Sequence, residues 1–267
     1  MSFIWILATV NKLVPPKKVE GRNSPHDYSL AEYGWAKRDY ERIKSILPLE
    51  NKVVLDAGCG LGGRTAYYAE QGPKSIIGID MDENHIKYAK EFFASKNVTN
   101  TSFQVANFIN IPIESNYFDV IILNDVVEHI RIDYLERALP ELRRVLKPGG
   151  RLFLEFPPWT SPFAAHLYDQ IALPWCQFLF PEKTLLKYIE TKKTGTRVGN
   201  LSSIEHFKEL NRLNKKPFIK LMKKVNFTQV YYEQRIVKNL NFLKLIPGIS
   251  ELATNRIVGL YTKEKPD

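Results

Sequence analysis

Cysteine and long apolar runs are the two things this chain has little of. Two cysteines among 267 residues cannot build a disulfide framework. Their positions, Cys59 inside a glycine-rich turn and Cys176 in an aromatic stretch, point to a reducing, cytoplasmic setting. The apolar opening Met1–Val10 falls well short of the roughly 20 residues that cross a bilayer. It has no basic leader before it and no small-residue cleavage pattern after it, so it does not read as a secretory signal. A packed helix or buried strand is expected there. The alternative is a segment resting at a membrane interface, which Trp5 followed by Pro15, Pro16, Lys17 and Lys18 would suit. No internal repeat or low-complexity tract is present, so the chain does not read as a repeat array.

What is present is an ordinary globular composition, 44% hydrophobic and 25% charged, with a basic excess. The formal net charge is +9 and the isoelectric point is near 9.3. Such a balance serves solubility or suits an anionic partner such as phospholipid headgroups, a phosphorylated glycan or nucleic acid. The basic residues gather after residue 180 (Lys192, Lys193, Arg197, then Lys215, Lys216, Lys220, Lys223, Lys224), outside any nucleic-acid-binding module.

The pattern of elements predicts an α/β fold. A loop over 15–27 leads to a helix over 29–47 that ends at Pro48. Strands are predicted at 52–57, 75–80, 101–106, 117–124 and 150–156. Helices at 63–71, 83–96 and 132–146 lie between them, with a turn at 109–111. This alternation builds a parallel sheet covered on both faces. The helix over 132–146 should stop on a glycine cap within Lys147-Pro148-Gly149-Gly150. Residues 157–200 break the rhythm with five prolines and many aromatics, and read as a lid or substrate insertion. A helix near 203–225, interrupted around Pro217, then resumes the fold. Strands near 227–237 and 255–263 follow, joined by a connector over 239–254 with Pro247 and Gly248. The resulting divisions are 1–28, 29–156, 157–200 and 201–267.

The most informative stretch is Val53-Val-Leu-Asp-Ala-Gly-Cys-Gly-Leu-Gly-Gly63. A β-branched run ends in Asp56, and Gly58, Gly60 and Gly62 alternate before a helix. Without Cβ atoms such a turn lets a ligand approach the backbone. Gly58, Gly60 and Gly63 also satisfy the dinucleotide fingerprint. A pyrophosphate, however, would be repelled by Asp56, whereas a cofactor bearing an ammonium group and no phosphate would be welcomed.

With Asp56, Gly58, Gly60 and Gly62 matching D-x-G-x-G-x-G, and Leu-Lys-Pro-Gly-Gly before the fifth strand, the chain resembles the class I S-adenosylmethionine-dependent methyltransferases. The resemblance implies a Rossmann-like, doubly wound seven-stranded sheet, mostly parallel with an antiparallel terminal strand, and S-adenosylmethionine as cofactor. Asp80, 24 residues past Asp56, falls where an acid accepts from both ribose hydroxyls, while Asp82 is left to cap the next helix. In the family's arrangement Met81 packs on the adenine, and Asn107 stands where an Asp usually meets the adenine amino group. Phe108 flanks the base or joins the core. Cys59 reads as a small packing residue within the cofactor turn.

Strand-end geometry brings Asn124, Asp125, Glu128 and His129 to the mouth of the site. The Glu-His pair resembles small-molecule enzymes such as quinone O-methyltransferases, some of which bind a divalent metal there. Asp125, Glu128 and His129 could ligate one, but three ligands without a second cluster assign no metal centre. His129 and His166 are the candidate bases, with packing as the plain reading of His166. The expected function is methylation, at oxygen first, of a small or lipid/glycan-linked acceptor. The aromatic composition of 157–181 suits an apolar acceptor. The alternatives are an RNA methyltransferase using the basic C-terminal third, a non-catalytic binding module, and a dinucleotide oxidoreductase, which Asp56 disfavours.

Overall fold

The computed structural model describes residues 3–16, 24–94, 96, 98–191, 203–237, 246 and 249–264. In the alternating half, β1 (Val53–Ala57), β2 (Ser75–Asp80), β3 (Thr101–Val105), β4 (Phe118–Asn124) and β5 (Leu146–Phe156) run parallel. β7 (Thr254–Thr262) lies antiparallel between β5 and β6 (Thr228–Ile236). The order is β3-β2-β1-β4-β5-β7-β6 in a seven-stranded sheet of the described residues. This is the sheet that the resemblance implied. β1 and β4 are buried along nearly their whole length, which explains their continuous apolar runs in place of alternation.

Two layers of helix cover the sheet. On one face, α2 (Pro25–Tyr40), α3 (Gly63–Ala69) and α4 (Glu83–Ala94) pack Ala36, Tyr40, Ala66, Ile86 and Phe92 against Val54, Ile76 and Ile122. Ser24 caps α2 by accepting from the Asp27 N–H at 3.1 Å, with Pro25 opening the first turn. On the other face, α5 (Ile132–Val145) and a second basic helix bring Leu135, Leu139, Leu142, Phe218 and Leu221 onto Leu55, Ile121 and Leu154.

Three expectations are corrected. The segment predicted as one helix over 203–225 is two, α8 (Ser203–Glu209) and α9 (Lys215–Lys224). The break falls at residues 210–214, while Pro217 sits in the first turn of α9, where its missing N–H costs no helical bond. The Lys147–Gly150 cluster is no helix cap. α5 ends on an extended Leu146, which pairs with Phe118 before the register jumps to Val120 opposite Arg151. The glycines lie in that bulge, Gly149 at φ 78°. The predicted helix over 29–47 leaves helical geometry after Tyr40, and its last turns bury Ile43 and Leu47.

The insertion builds a core of its own. Helices α6 (Cys176–Leu179) and α7 (Glu182–Glu190) join α8 and the N-terminal helix α1 (Phe3–Leu13) around Leu7, Leu167, Ile171, Phe180, Leu185, Ile189 and Phe207. The opening segment is thus a packed helix. Buried Asn11 stitches it down: Nδ2 donates to the Gln170 carbonyl (2.6 Å) and the Tyr188 hydroxyl (2.9 Å), and Oδ1 accepts from the Ala172 N–H (3.0 Å). Lys192–Asn200 and most of the 239–254 connector, with Pro247 and Gly248, lie outside the described residues.

Candidate active site

Strand order reverses between β1 and β4, so a crevice opens beyond their carboxyl ends. The insertion roofs it, leaving a cavity of about 1590 Å³. Ordinary ligand sites measure roughly 300–1,000 Å³, so this chamber has room for two small molecules side by side.

Its floor is the glycine turn and the two strand-end acids. Asp56 is buried and accepts from the Thr65 hydroxyl at 2.5 Å. Burial pushes its carboxyl up to about 6, against the pull of Thr65 and Arg64. Asp80 Oδ2 accepts from the Gly60 N–H (3.1 Å), Oδ1 accepts from the Asp82 N–H (2.9 Å), and His85 Nδ1 lies 3.3 Å from Oδ1. Asp82, as expected, accepts from the Asn84 N–H at the start of α4 (2.8 Å). Gly60 has φ +52°, and a Cβ built there meets nothing within 4 Å. The turn therefore presents bare backbone to the cavity.

Of the predicted residues, Asp56, Gly58, Cys59, Gly60, Asp80, Met81, Phe108, Asn124, His129 and His166 line the chamber. Gly62 and Asn107 do not. Gly62 (φ +81°) caps α3, and its Cβ would press on Ala89 at 3.0 Å, so its role is close packing of the turn on α4. The Asn107 side-chain oxygen accepts from the Ile109 N–H (3.0 Å) and from the Tyr134 hydroxyl. With both lone pairs engaged it orients Tyr134, whose ring does line the cavity. Burial raises the Cys59 thiol, in keeping with a packing residue. Asn124 donates to the Tyr68 hydroxyl at 3.1 Å.

Sequence reasoning missed several residues that fold in from elsewhere. Glu32 comes from α2. Its Oε2 is buried without a hydrogen-bond partner, and burial pushes its carboxyl up to about 7 despite Arg64. Arg64, from the first turn of α3, and Arg256, from β7, both bind Asp125. Arg64 Nη2 reaches Asp125 Oδ2 at 2.7 Å, and Arg256 Nη1 contacts Oδ1. Arg64 thus holds one Asp125 oxygen by a hydrogen bond and Arg256 pairs its charge with the other, which sets Asp125 apart from a ligand set with Glu128 and His129. His206 of α8 enters beside His129 and His166. No periodicity marks it; only adjacency to the glycine turn could have flagged Arg64.

Glu128 and His129 lie on a 3-10 turn, Val127–His129, pinned from the far side by Asn211. Its Nδ2 donates to the carbonyls of Val127 (2.7 Å) and Ile130 (2.8 Å), and its N–H donates to that of Glu128 (2.9 Å). Burial pushes the Glu128 carboxyl up to about 8.

The roof departs from its expected chemistry. Trp159 packs on both Phe178 and Phe207, Phe180 is buried in the insertion's core, and of the Phe, Tyr and Trp side chains among the insertion's described residues Phe163 and Tyr168 line the chamber. A segment this long must bury its own apolar face, so its aromatics serve that core first. The cluster Lys215–Lys224 also lies off the cavity lining. It frames the sheet through Phe218, Leu221 and Met222.

The residues fit a cofactor with an ammonium group, a ribose and a flat base. Two buried carboxylates, Asp56 and Glu32, suit the first, Asp80 the second, and Met81 with Phe108 the third. Comparison with known proteins agrees. Residues 55–154 match the methyltransferase domain family. The chain is 30% identical over 206 residues to demethylmenaquinone methyltransferase of Lactococcus lactis, covering 75% of this chain and 74% of that one. It belongs to the class I S-adenosylmethionine-dependent methyltransferase family. The ubiquinone biosynthesis O-methyltransferase of Coxiella burnetii is also 30% identical over 142 residues, 53% of this chain. The match spans just over half of that relative, 58% of its length. An S-adenosylmethionine-dependent methyltransferase from Methanosarcina mazei shares the fold, with a TM-score of 0.59 at 19% identity, over 85% of this chain and 99% of the other. S-adenosylmethionine is the cofactor of the methyltransferase family to which this chain belongs.

Proposed function

We propose that this protein transfers a methyl group from S-adenosylmethionine to a hydroxyl oxygen of a small or a lipid- or glycan-linked acceptor. The observation that carries the reading is one chamber with a cofactor-type floor and a histidine-bearing roof. When bound, S-adenosylmethionine would supply an electrophilic methyl group on a sulfonium sulfur, with a neutral thioether as the leaving group. Asp56, with Glu32, would hold the ammonium end, and Arg64 would meet the carboxylate. Asp80 would accept from the ribose hydroxyls, and Met81 and Phe108 would hold the base. Alignment is the larger part of the rate enhancement in such a displacement. The remaining task is to take the hydroxyl proton, and His129 and His166 stand on the wall where an imidazole nitrogen could receive it.

The relatives named for ubiquinone biosynthesis and demethylmenaquinone support a small-molecule acceptor. Phe3, Trp5, Ile6, Leu13 and Val14 of the N-terminal segment are exposed, which supports a peripheral, cytoplasmic-side contact with the membrane that holds a lipid-linked acceptor. No helix among the described residues is long and apolar enough to cross a membrane.

Calorimetry with S-adenosylmethionine, followed by transfer of labelled methyl to a quinol and glycolipid panel, tests the proposal. No heat of binding rejects it, and binding without transfer to any extract favours a non-catalytic module. Flotation with anionic vesicles tests the membrane contact, and a protein that stays in the soluble fraction removes it.

A further inference from the structure

Three of the five histidines of the chain meet at one point of the chamber wall. His129 comes from the 3-10 turn after β4, His166 from the insertion and His206 from α8. One ring nitrogen of each lies within 4.8 Å of the other two. The rings of His129 and His206 stack at 4.6 Å, and His166 stands 5.1 Å and 5.3 Å from them. These positions are separated by tens of residues in sequence, so no local pattern produces the grouping. Folding has to assemble it.

A second, independent feature adjoins the cluster. The side chain of Glu128 is buried, and neither carboxylate oxygen has a hydrogen-bond partner. Its Oε1 lies 3.9 Å from His129 Nε2 and 4.0 Å from His166 Nε2. A buried carboxyl group left without partners is costly, and a cation held at the imidazoles would favour its ionised form and offset that cost.

We propose that His129, His166 and His206 form a binding site for a divalent transition-metal ion, with the Glu128 carboxylate beside it. Three imidazoles are a donor set for zinc, cobalt, nickel or copper, whereas magnesium and calcium prefer carboxylate, carbonyl and water oxygens. Metal–nitrogen bonds of roughly 2.0–2.1 Å in tetrahedral geometry place ligand atoms about 3.4 Å apart. The ring nitrogens, now within 4.8 Å of one another, therefore need to close by up to about 1.4 Å, and the stacked rings of His129 and His206, 15° from parallel, have to turn their nitrogens toward a common point. Three protein ligands leave a position open, and the lining of the chamber by all three histidines puts that position toward the acceptor, the arrangement of reactive rather than structural metal sites. Glu128 then either completes the set or orients the ligating rings, as carboxylates next to metal-bound imidazole commonly do. The site differs from an Asp125–Glu128–His129 set, because Asp125 is already held by Arg64 and Arg256. Its chemical role, a Lewis acid at the acceptor's hydroxyl in place of a free imidazole base, deepens the methyl-transfer reading and rests on it. The metal binding itself does not.

The test is titration of chelator-treated, full-length protein with cobalt(II) chloride, read by its visible ligand-field bands, and with zinc chloride, read by calorimetry. One equivalent of cobalt should bind with intense visible absorption, and magnesium in large excess should not displace it. His206→Gln and His129→Gln should each weaken zinc binding by more than the roughly 10–100-fold typical of outer-shell changes, and Glu128→Gln by an amount within that range. His26→Gln, remote from the cluster, should bind as the parent does. Absence of cobalt uptake by the parent protein overturns the site, as does uptake that His206→Gln and His129→Gln both leave unchanged. Absence of S-adenosylmethionine binding, measured separately in metal-free buffer, would reject the methyl-transfer reading and leave the cobalt result standing.

Discussion

The floor and the roof of the chamber are built by opposite strategies. Ligand-facing positions of the floor come from short, contiguous segments: the turn at 56–60, the strand end at 80–82, and Asn124. Each is fixed by backbone hydrogen bonds of the parallel sheet. The roof gathers α1, the insertion and α8 around a separate small core, and its polar residues reach the chamber from distant parts of the chain. A floor of this kind constrains which cofactor fits. A roof so assembled can change its acceptor by small changes in packing, without disturbing the sheet.

Four measurements would break or sharpen that contrast. The largest effect is expected at the floor. Asp80→Ala removes a charged acceptor for two hydroxyls and for the Gly60 N–H, and should weaken S-adenosylmethionine binding about 100-fold or more. Circular dichroism should still report a folded sheet, and unchanged affinity by calorimetry would take Asp80 out of the site.

Next comes the roof. Asn11→Ala leaves the Ala172 N–H without its acceptor and the Tyr188 hydroxyl without a donor, and should cost about 1–3 kcal/mol. Hydrogen exchange should speed up over 170–190 while β1 and β4 stay protected. Equal loosening of both regions would show that they unfold as one unit.

A pair of glycine variants then divides the floor itself. Gly60→Ala and Gly62→Ala both place a Cβ at positive φ, costing about 1–2 kcal/mol in a denaturant melt. Only Gly60→Ala puts a methyl group into the cofactor space, so only it should also lose substantial S-adenosylmethionine affinity. Equal losses of affinity would assign Gly62 to the ligand as well.

The smallest effect is a pH dependence. Asp56 titrates near 6 in the fold against an ordinary 3.8, and its ionised form is the one that attracts an ammonium group. Lowering the pH from about 7.5 to about 5.5 should weaken cofactor binding about fourfold through this group. For the unliganded protein the sign is reversed. The fold binds this proton more tightly than the unfolded chain, so the contribution of Asp56 to stability rises as pH falls from about 6 toward about 4. Thermal melts with and without cofactor should therefore diverge across that window.

The floor was legible in the sequence because its chemistry is local. Asp56, Gly60, Asp80 and the capping role of Asp82 follow from one strand-turn-helix rhythm, and the parallel sheet follows from the same alternation. Asn107 was misread because its partner, Tyr134, comes from α5, far along the chain from the turn after β3. The roof was legible only as an anomaly of composition. Its aromatics were read as pocket lining, although a segment of that size first has to bury itself. Glu32, Arg64, Arg256 and His206 each acquire their setting from packing between elements, which no spacing in the chain encodes.

His166 carries its backbone at φ +53°, a region that glycine, asparagine, aspartate and histidine enter far more readily than other residues. Within that short roster, histidine alone brings an aromatic nitrogen heterocycle. His166→Asn is therefore the exchange that spares the main chain and deletes only the ring, so whatever it changes can be ascribed to the imidazole itself.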